Sequence, residues 1–159
     1  MQKPASLRAA LTAALPELRN SPDRLVIWVE DGAIRARQTD SDSFAFAYPL
    51  SILLNEVSTD IAIIAHAINR WLRVNEPSLI AGGAGDSYAF ETDILDNGCA
   101  DIVFTLDLME FAQVAENGDG SWSIDYRPEP NPLFDDDVPA DPATQTATPL
   151  TGVSSIVAD

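Results

Sequence analysis

Ser43-Phe44-Ala45-Phe46-Ala47-Tyr48-Pro49-Leu50-Ser51-Ile52-Leu53-Leu54-Asn55-Glu56-Val57 is the stretch that decides the fold. Phe44, Phe46, Tyr48, Leu50, Ile52 and Leu54 recur at every second position, the period at which strand side chains return to one face. The run therefore reads as one long β-strand with an apolar face. Pro49 lacks a ladder donor and so implies an edge position or a bulge.

Upstream, Leu7, Leu11, Ala14, Leu15 and Leu18 keep helical spacing. Pro16 inside this run removes one backbone bond and crowds the preceding turn, so the helix kinks there or ends toward Asn20-Ser21-Pro22-Asp23. Leu25-Val26-Ile27-Trp28-Val29 is a β-branched and aromatic strand. Asp31-Gly32 separates it from Ala33 to Gln38 and predicts a hairpin, because both residues tolerate positive φ. Downstream, Asp60 caps a helix whose apolar face is Ile61, Ile64, Ala65, Ile68, Trp71 and Leu72. Pro77 stops that helix, and Gly82-Gly83-Ala84-Gly85 forms a loop. Tyr88 to Leu95 is a strand, Asp96-Asn97-Gly98 a turn, and Ile102, Phe104, Leu106 and Leu108 alternate along a strand reaching Val114. Asn117-Gly118-Asp119-Gly120 turns the chain into a last short strand, Trp122 to Tyr126. This order predicts an α+β fold: a mostly antiparallel sheet with two main helices packed on one face.

The 159 residues suffice for one domain. Nine Lys and Arg against 25 Asp and Glu give a net charge of −16. Nucleic-acid binding needs basic residues to displace phosphate counterions, so this balance argues against it, and an anionic membrane surface is disfavoured likewise. The excess is one-sided. Residues 1–80 carry eight basic and nine acidic groups, whereas residues 81–159 carry sixteen acidic groups and one basic, Arg127. From Pro128 onward six prolines, acidic residues, Ala and Thr dominate. Such a composition buries too little apolar surface to offset its ordering entropy. The expected organisation is a folded domain over 1–127 and a disordered acidic tail over 128–159. Leu133-Phe134 and Val153-Ser154-Ser155-Ile156-Val157 are candidate docking peptides within it. The most apolar window, Ile61 to Ile68, is too short to span a bilayer, and Met1-Gln2-Lys3-Pro4 does not open a signal peptide. The expected address is cytoplasmic.

Catalytic chemistry is not expected. His66 is the single histidine and lies within an apolar helix. Cys99 is the single cysteine, with no basic neighbour to depress its pKa; it excludes an internal disulfide and any multi-thiolate metal site. Gly82-Gly83-Ala84-Gly85-Asp86 lacks the third glycine of a dinucleotide fingerprint, since position 88 is Tyr. A calcium loop placed on Gly120 would need carboxylates at Ala115 and Tyr126. Asp135-Asp136-Asp137 reads as a solvated run. No carboxylate pair sits in a context that would raise one pKa. The expectation is no enzyme, no cofactor and no metal.

Several blocks together carry a resemblance. Lys3-Pro4-Ala5-Ser6-Leu7-Arg8-Ala9-Ala10-Leu11-Thr12, Asn20-Ser21-Pro22-Asp23-Arg24-Leu25, Trp28 to Ile34, Ser43 to Leu50, Trp71-Leu72-Arg73-Val74-Asn75-Glu76-Pro77, Phe90 to Asn97 and Asp101-Ile102 follow one another as they do in the tail completion protein R (GpR) family of contractile-tailed temperate phages. The chain resembles that family over roughly residues 3–115, with Pro49 where an ordinary strand residue is expected. The resemblance implies a structural virion protein, similar to tail terminators. It would cap the head-proximal end of the tail tube, end polymerisation of tube and sheath, and offer a head-joining surface, as a six-fold ring of copies. The implied partners are other copies, the tail tube, the sheath and the head–tail connector. The implied place is the virion tail, assembled in the host cytoplasm. An acidic ring would let DNA pass without holding it. Arg35, Arg37, Arg70 and Arg73 become candidates for pairing with a neighbouring subunit or the tube. Phe44 and Tyr48, on the long strand, join them as interface candidates. The competing reading from charge alone is an acidic DNA mimic that inhibits a host DNA-binding protein.

Overall fold

The structure is a computed structural model describing residues 1–81, 85–95 and 97–130. The expected loop at 82–85 lies largely outside the described residues, as does the tail from 131 onward. Helix α1 (Lys3–Ala14) ends at Leu15, which takes an extended conformation. Pro16 then opens a second short helix, α2 (Pro16–Asn20). The proline breaks the run one residue before itself, because its ring disfavours helical backbone at the preceding position, and then serves as a first-turn residue. A 3-10 turn (Pro22–Arg24) leads into β1 (Leu25–Val29), β2 (Ala33–Ala36) and β3 (Phe44–Val57). Helix α3 (Ile61–Asn75) is capped by the Asp60 carboxylate, which accepts from Ala62 N at 2.7 Å. Pro77 opens α4 (Pro77–Ala81). Strands β4 (Ala89–Ile94), β5 (Ala100–Glu116) and β6 (Trp122–Arg127) follow. Gly98 and Gly120, with φ of 77° and 85°, supply the left-handed positions that close the turns before β5 and β6.

All six strands form one antiparallel sheet around a central ladder, β3 on β5, running from Phe44↔Ala112 to Val57↔Ala100. The outer edges are each covered by two short strands placed end to end. Residues 50–54 of β3 pair with β1, and residues 44–47 pair with β2. On the far side, residues 100–105 of β5 pair with β4, and residues 111–116 with β6. The hairpin expected at Asp31-Gly32 does not form: β1 and β2 run in the same direction along β3 and do not pair with each other. Three residues, Glu30 to Gly32, pass opposite two, Tyr48 and Pro49, which is a bulge. Backbone groups alternate in direction along a strand. Since Met109 N and O point away from β3, toward Glu76 and Lys3, odd positions of β3 point toward β1 and β2. The missing N–H of Pro49 therefore faces the bulge, where no ladder bond is lost. The proline occupies a bulge within the sheet rather than an edge.

One face of the ladder carries the core. Tyr48, Leu50, Ile52 and Leu54 of β3 and Ile102, Phe104, Leu106 and Leu108 of β5 are buried against Leu7, Leu11, Leu15, Leu18, Ile64, Ile68 and Leu72 of the helices. Truncating one of these leucines to alanine costs about 2–5 kcal/mol. Trp71 is buried between α3 and α1 and donates to Ser6 Oγ at 3.0 Å. The alternate face, through Ala45, Ala47, Pro49, Ser51, Val103, Thr105, Asp107 and Phe111, lies outside the buried core cluster, and α4 borders it through Ser78 and Leu79, which line an open hollow with Ala47, Pro49 and Asp107.

Candidate functional site

On that open face one cross-strand row spans four strands. Arg35 of β2 pairs with Ala45 of β3, Ala45 with Phe111 of β5, and Phe111 with Arg127 of β6. Strands lie about 4.8 Å apart, so the two arginines are roughly 14 Å apart across a floor of Ala45 and Phe111. Arg37, Ser43, Gln113 and Pro130 complete an open groove of about 840 Å³. Its lining contains three arginines and no acidic side chain, on a chain whose net charge is −16. Arg127 donates through Nε to Gln113 Oε1. Neither Arg35 nor Arg37 enters an ion pair among the described residues. Phe111 is 40% exposed.

The other candidates lie apart from this groove or beneath it. Phe44 sits at the groove's rim, half-buried, and begins a run of aromatic rings through Phe46 to Tyr48 and Tyr126. Tyr48 is only 4% exposed and reaches no surface. Its hydroxyl donates to Glu110 Oε1. Burial first, and then that carboxylate, push the Tyr48 phenol well above its usual range. Arg70 and Arg73 are exposed on α3, on the helix side of the sheet, and do not join Arg35 and Arg37. Ile34, 74% exposed, Trp122 and Ile124 leave an apolar margin where the sheet extends past the helices. His66 is exposed on α3 and Cys99 is half-buried beside the β4–β5 turn. Among the described residues no group of three His, Cys, Asp or Glu could hold a metal ion, and no helix is long and apolar enough to cross a membrane.

A second polar cluster fills the gap that β4 and β6 leave on the edge of β5. There Met109 N donates to Glu76 Oε2 at 3.1 Å, and Met109 O accepts from Lys3 Nζ at 2.6 Å. Lys3 also donates to Glu76 Oε2 at 2.6 Å. Ser78 Oγ lies 3.0 Å from Glu76 Oε1 and 2.8 Å from Glu129 Oε2. Glu76 is 2% exposed and Glu129 8%. Burial, and next the neighbouring Glu76, raise the Glu129 carboxyl to about 7. Burial alone would raise Glu76 as well, but hydrogen bonds from Glu129, Lys3 and Met109 hold it low. Of the two carboxyls Glu129 is therefore the one that holds a proton more readily, with Ser78 Oγ standing between them. This corrects the expectation that no carboxylate pair sits where a pKa would rise. The two carboxyls come from the end of α3 and from the segment after β6, and only the folded sheet brings them together. It also places Glu129, which the sequence assigns to the tail, inside the packed structure.

Sequence reasoning missed Arg127 as a member of the arginine groove. The available signal was its isolation as the only basic residue of the second half.

The open sheet face with its arginine row defines a small α+β protein whose salient surface is one side of an antiparallel sheet. The chain belongs to the family of the P2 phage tail completion protein R (GpR), which matches residues 1–130 and so includes Glu129. It is 34% identical over 134 residues to the tail completion protein R of Escherichia phage P2, covering 83% of this chain and 86% of that relative. No solved structure matches it. As a family member it is a structural protein of phage tail assembly.

Proposed function

We propose that the chain caps the head-proximal end of a phage tail tube, ends the polymerisation of tube and sheath, and presents the surface to which the head is joined. The observation that carries this reading is the family match over residues 1–130. A cap of this kind works as a closed ring of copies, six in the proposed assembly. It needs surfaces for its own neighbours and for the tube. The open sheet face and the outer edges of β1, β2, β4 and β6, which pair with no strand among the described residues, support such a role. Arg35 and Arg37 pair with acidic groups of a neighbouring copy, with Phe44 at the same rim and Tyr48 bracing it from within. Arg70 and Arg73, on the helix side, meet a different partner: tube, sheath or connector. The acidic excess keeps the ring from retaining the DNA that passes it. The protein does this without catalysis or cofactor, assembling in the host cytoplasm and remaining in the virion tail.

Electron microscopy of lysates from the source phage with the gene inactivated tests the reading. Filled heads lying apart from tails of irregular or excessive length are expected. Tails of normal length joined to heads overturn it and favour the acidic DNA mimic, whose binding to a basic host protein would weaken with salt. Reversing charge in Arg35→Glu with Arg37→Glu is expected to abolish ring assembly; an intact ring removes those two residues from the interface.

A further inference from the structure

We infer that the arginine groove is occupied, in the free subunit, by the chain's own segment Leu133-Phe134-Asp135-Asp136-Asp137. Three observations meet here. The groove gathers Arg35, Arg37 and Arg127 around Phe111 with no acidic side chain in its lining. The described chain leaves from this same place: β6 ends at Arg127, and Pro128 and Pro130 form part of the groove wall. The sequence that follows, residues 131–159, contains five aspartates and no basic residue, and its first acidic group is the Asp135-Asp136-Asp137 run.

Length permits the contact. Five residues from Pro130 to Asp135 span at most about 17 Å when extended, against roughly 14 Å between the arginines at the two ends of the row. Glu129, anchored through Ser78 at 2.8 Å, fixes the point of departure. The contact is intramolecular, so its effective concentration is of millimolar order for so short a linker. Weak individual arginine–aspartate pairs therefore suffice to populate it. The chemistry of the segment matches that of the site, with an apolar Leu133-Phe134 pair for Phe111 and Ala45 and a carboxylate run for the guanidinium groups. Acidic groups of a neighbouring copy then compete with this segment for the groove. That competition rests on the ring proposed above; the self-docking does not.

The test is a pair of nitrogen-15 correlation spectra of the full chain, native and with Asp135→Asn, Asp136→Asn and Asp137→Asn combined. The dispersion of the remaining resonances reports in the same spectra that the variant is folded. Displaced backbone resonances are expected at Ala45, Phe111 and Gln113, with displaced Nε–H resonances of Arg35, Arg37 and Arg127. In the native chain, raising NaCl from about 20 to about 500 mM moves the same signals in the same direction. Tenfold dilution leaves them in place. Groove resonances that ignore both the substitutions and the salt overturn the inference. A displacement that vanishes on dilution overturns it too and assigns the groove to a second copy. Neither failure bears on the tail phenotype of the inactivated gene, so the two proposals fall separately.

Discussion

The two edges of the central ladder are each interrupted once, and the interruptions are handled in opposite ways. On the β3 edge the break falls at Tyr48 and Pro49, between β1 and β2. Pro49 has no N–H to satisfy, so the passing chain bulges outward through Glu30 to Gly32 and nothing replaces it. On the β5 edge the break falls at Leu106 to Glu110, between β4 and β6. Met109 there presents both a donor and an acceptor. An unsatisfied buried backbone group costs free energy comparable to a lost hydrogen bond, and the fold meets the demand with ions. Glu76 accepts, Lys3 donates, and the Ser78 hydroxyl links Glu76 to Glu129. A gap that removes the backbone donor is tolerated without side-chain replacement. A gap that keeps it recruits side chains from both ends of the domain.

Breaking the ionic plug is expected to have the largest effect. Glu76→Ala leaves Met109 N and Lys3 without their acceptor and should destabilise by about 3 kcal/mol, measured by urea denaturation at neutral pH. Lys3→Met removes the ammonium that faces both carboxyls. It should cost about 2 kcal/mol at pH 8 and less at pH 5.5, where Glu129 holds its proton. Glu129→Gln fixes the neutral form. The folded pKa of Glu129, about 7, lies above its ordinary 4.5. Its contribution is therefore fully present below 4.5 and is lost as pH rises through 7. The variant should gain about 1 kcal/mol over the native chain at pH 8 and lose that advantage at pH 4.5, in paired thermal melts. Pro49→Ala, at the other edge, should shift stability by no more than about 0.5–1 kcal/mol, mostly through the unfolded chain. A loss as large as that of Glu76→Ala would show that the two edges are not so different.

The same contrast explains what the sequence could and could not tell. Strand alternation in β3 and β5, the Asp60 cap and the apolar face of α3 are local patterns, legible because period and capping chemistry act within a few residues. The Asp31-Gly32 signal was also local and misled. Two short strands joined by such a pair form a hairpin when left alone, but here β3 offers each a longer and more apolar partner, so both lie along it. The buried carboxyls were illegible because Glu76 stands before Pro77 and Glu129 between two prolines, contexts that resemble exposed turns. The groove was half legible. Arg35 and Arg37 stood out as neighbours, whereas Arg127 joins them only through the β5–β6 register.

Lys3 contacts Met109 O, and the Met1 amino group contacts the Tyr126 hydroxyl at 2.6 Å. Helix α1 therefore cannot complete its set of polar contacts until more than a hundred further residues have been made. At the usual elongation rates of about 5–20 residues per second, that is a wait of roughly 5–20 s. Helix α1 can fold and meet α2 in that interval, but its apolar stripe stays uncovered until β3 and β5 arrive. The nascent chain thus exposes its stickiest surface early and closes it late, so its yield in the host should depend on chaperone supply more than its finished stability would suggest.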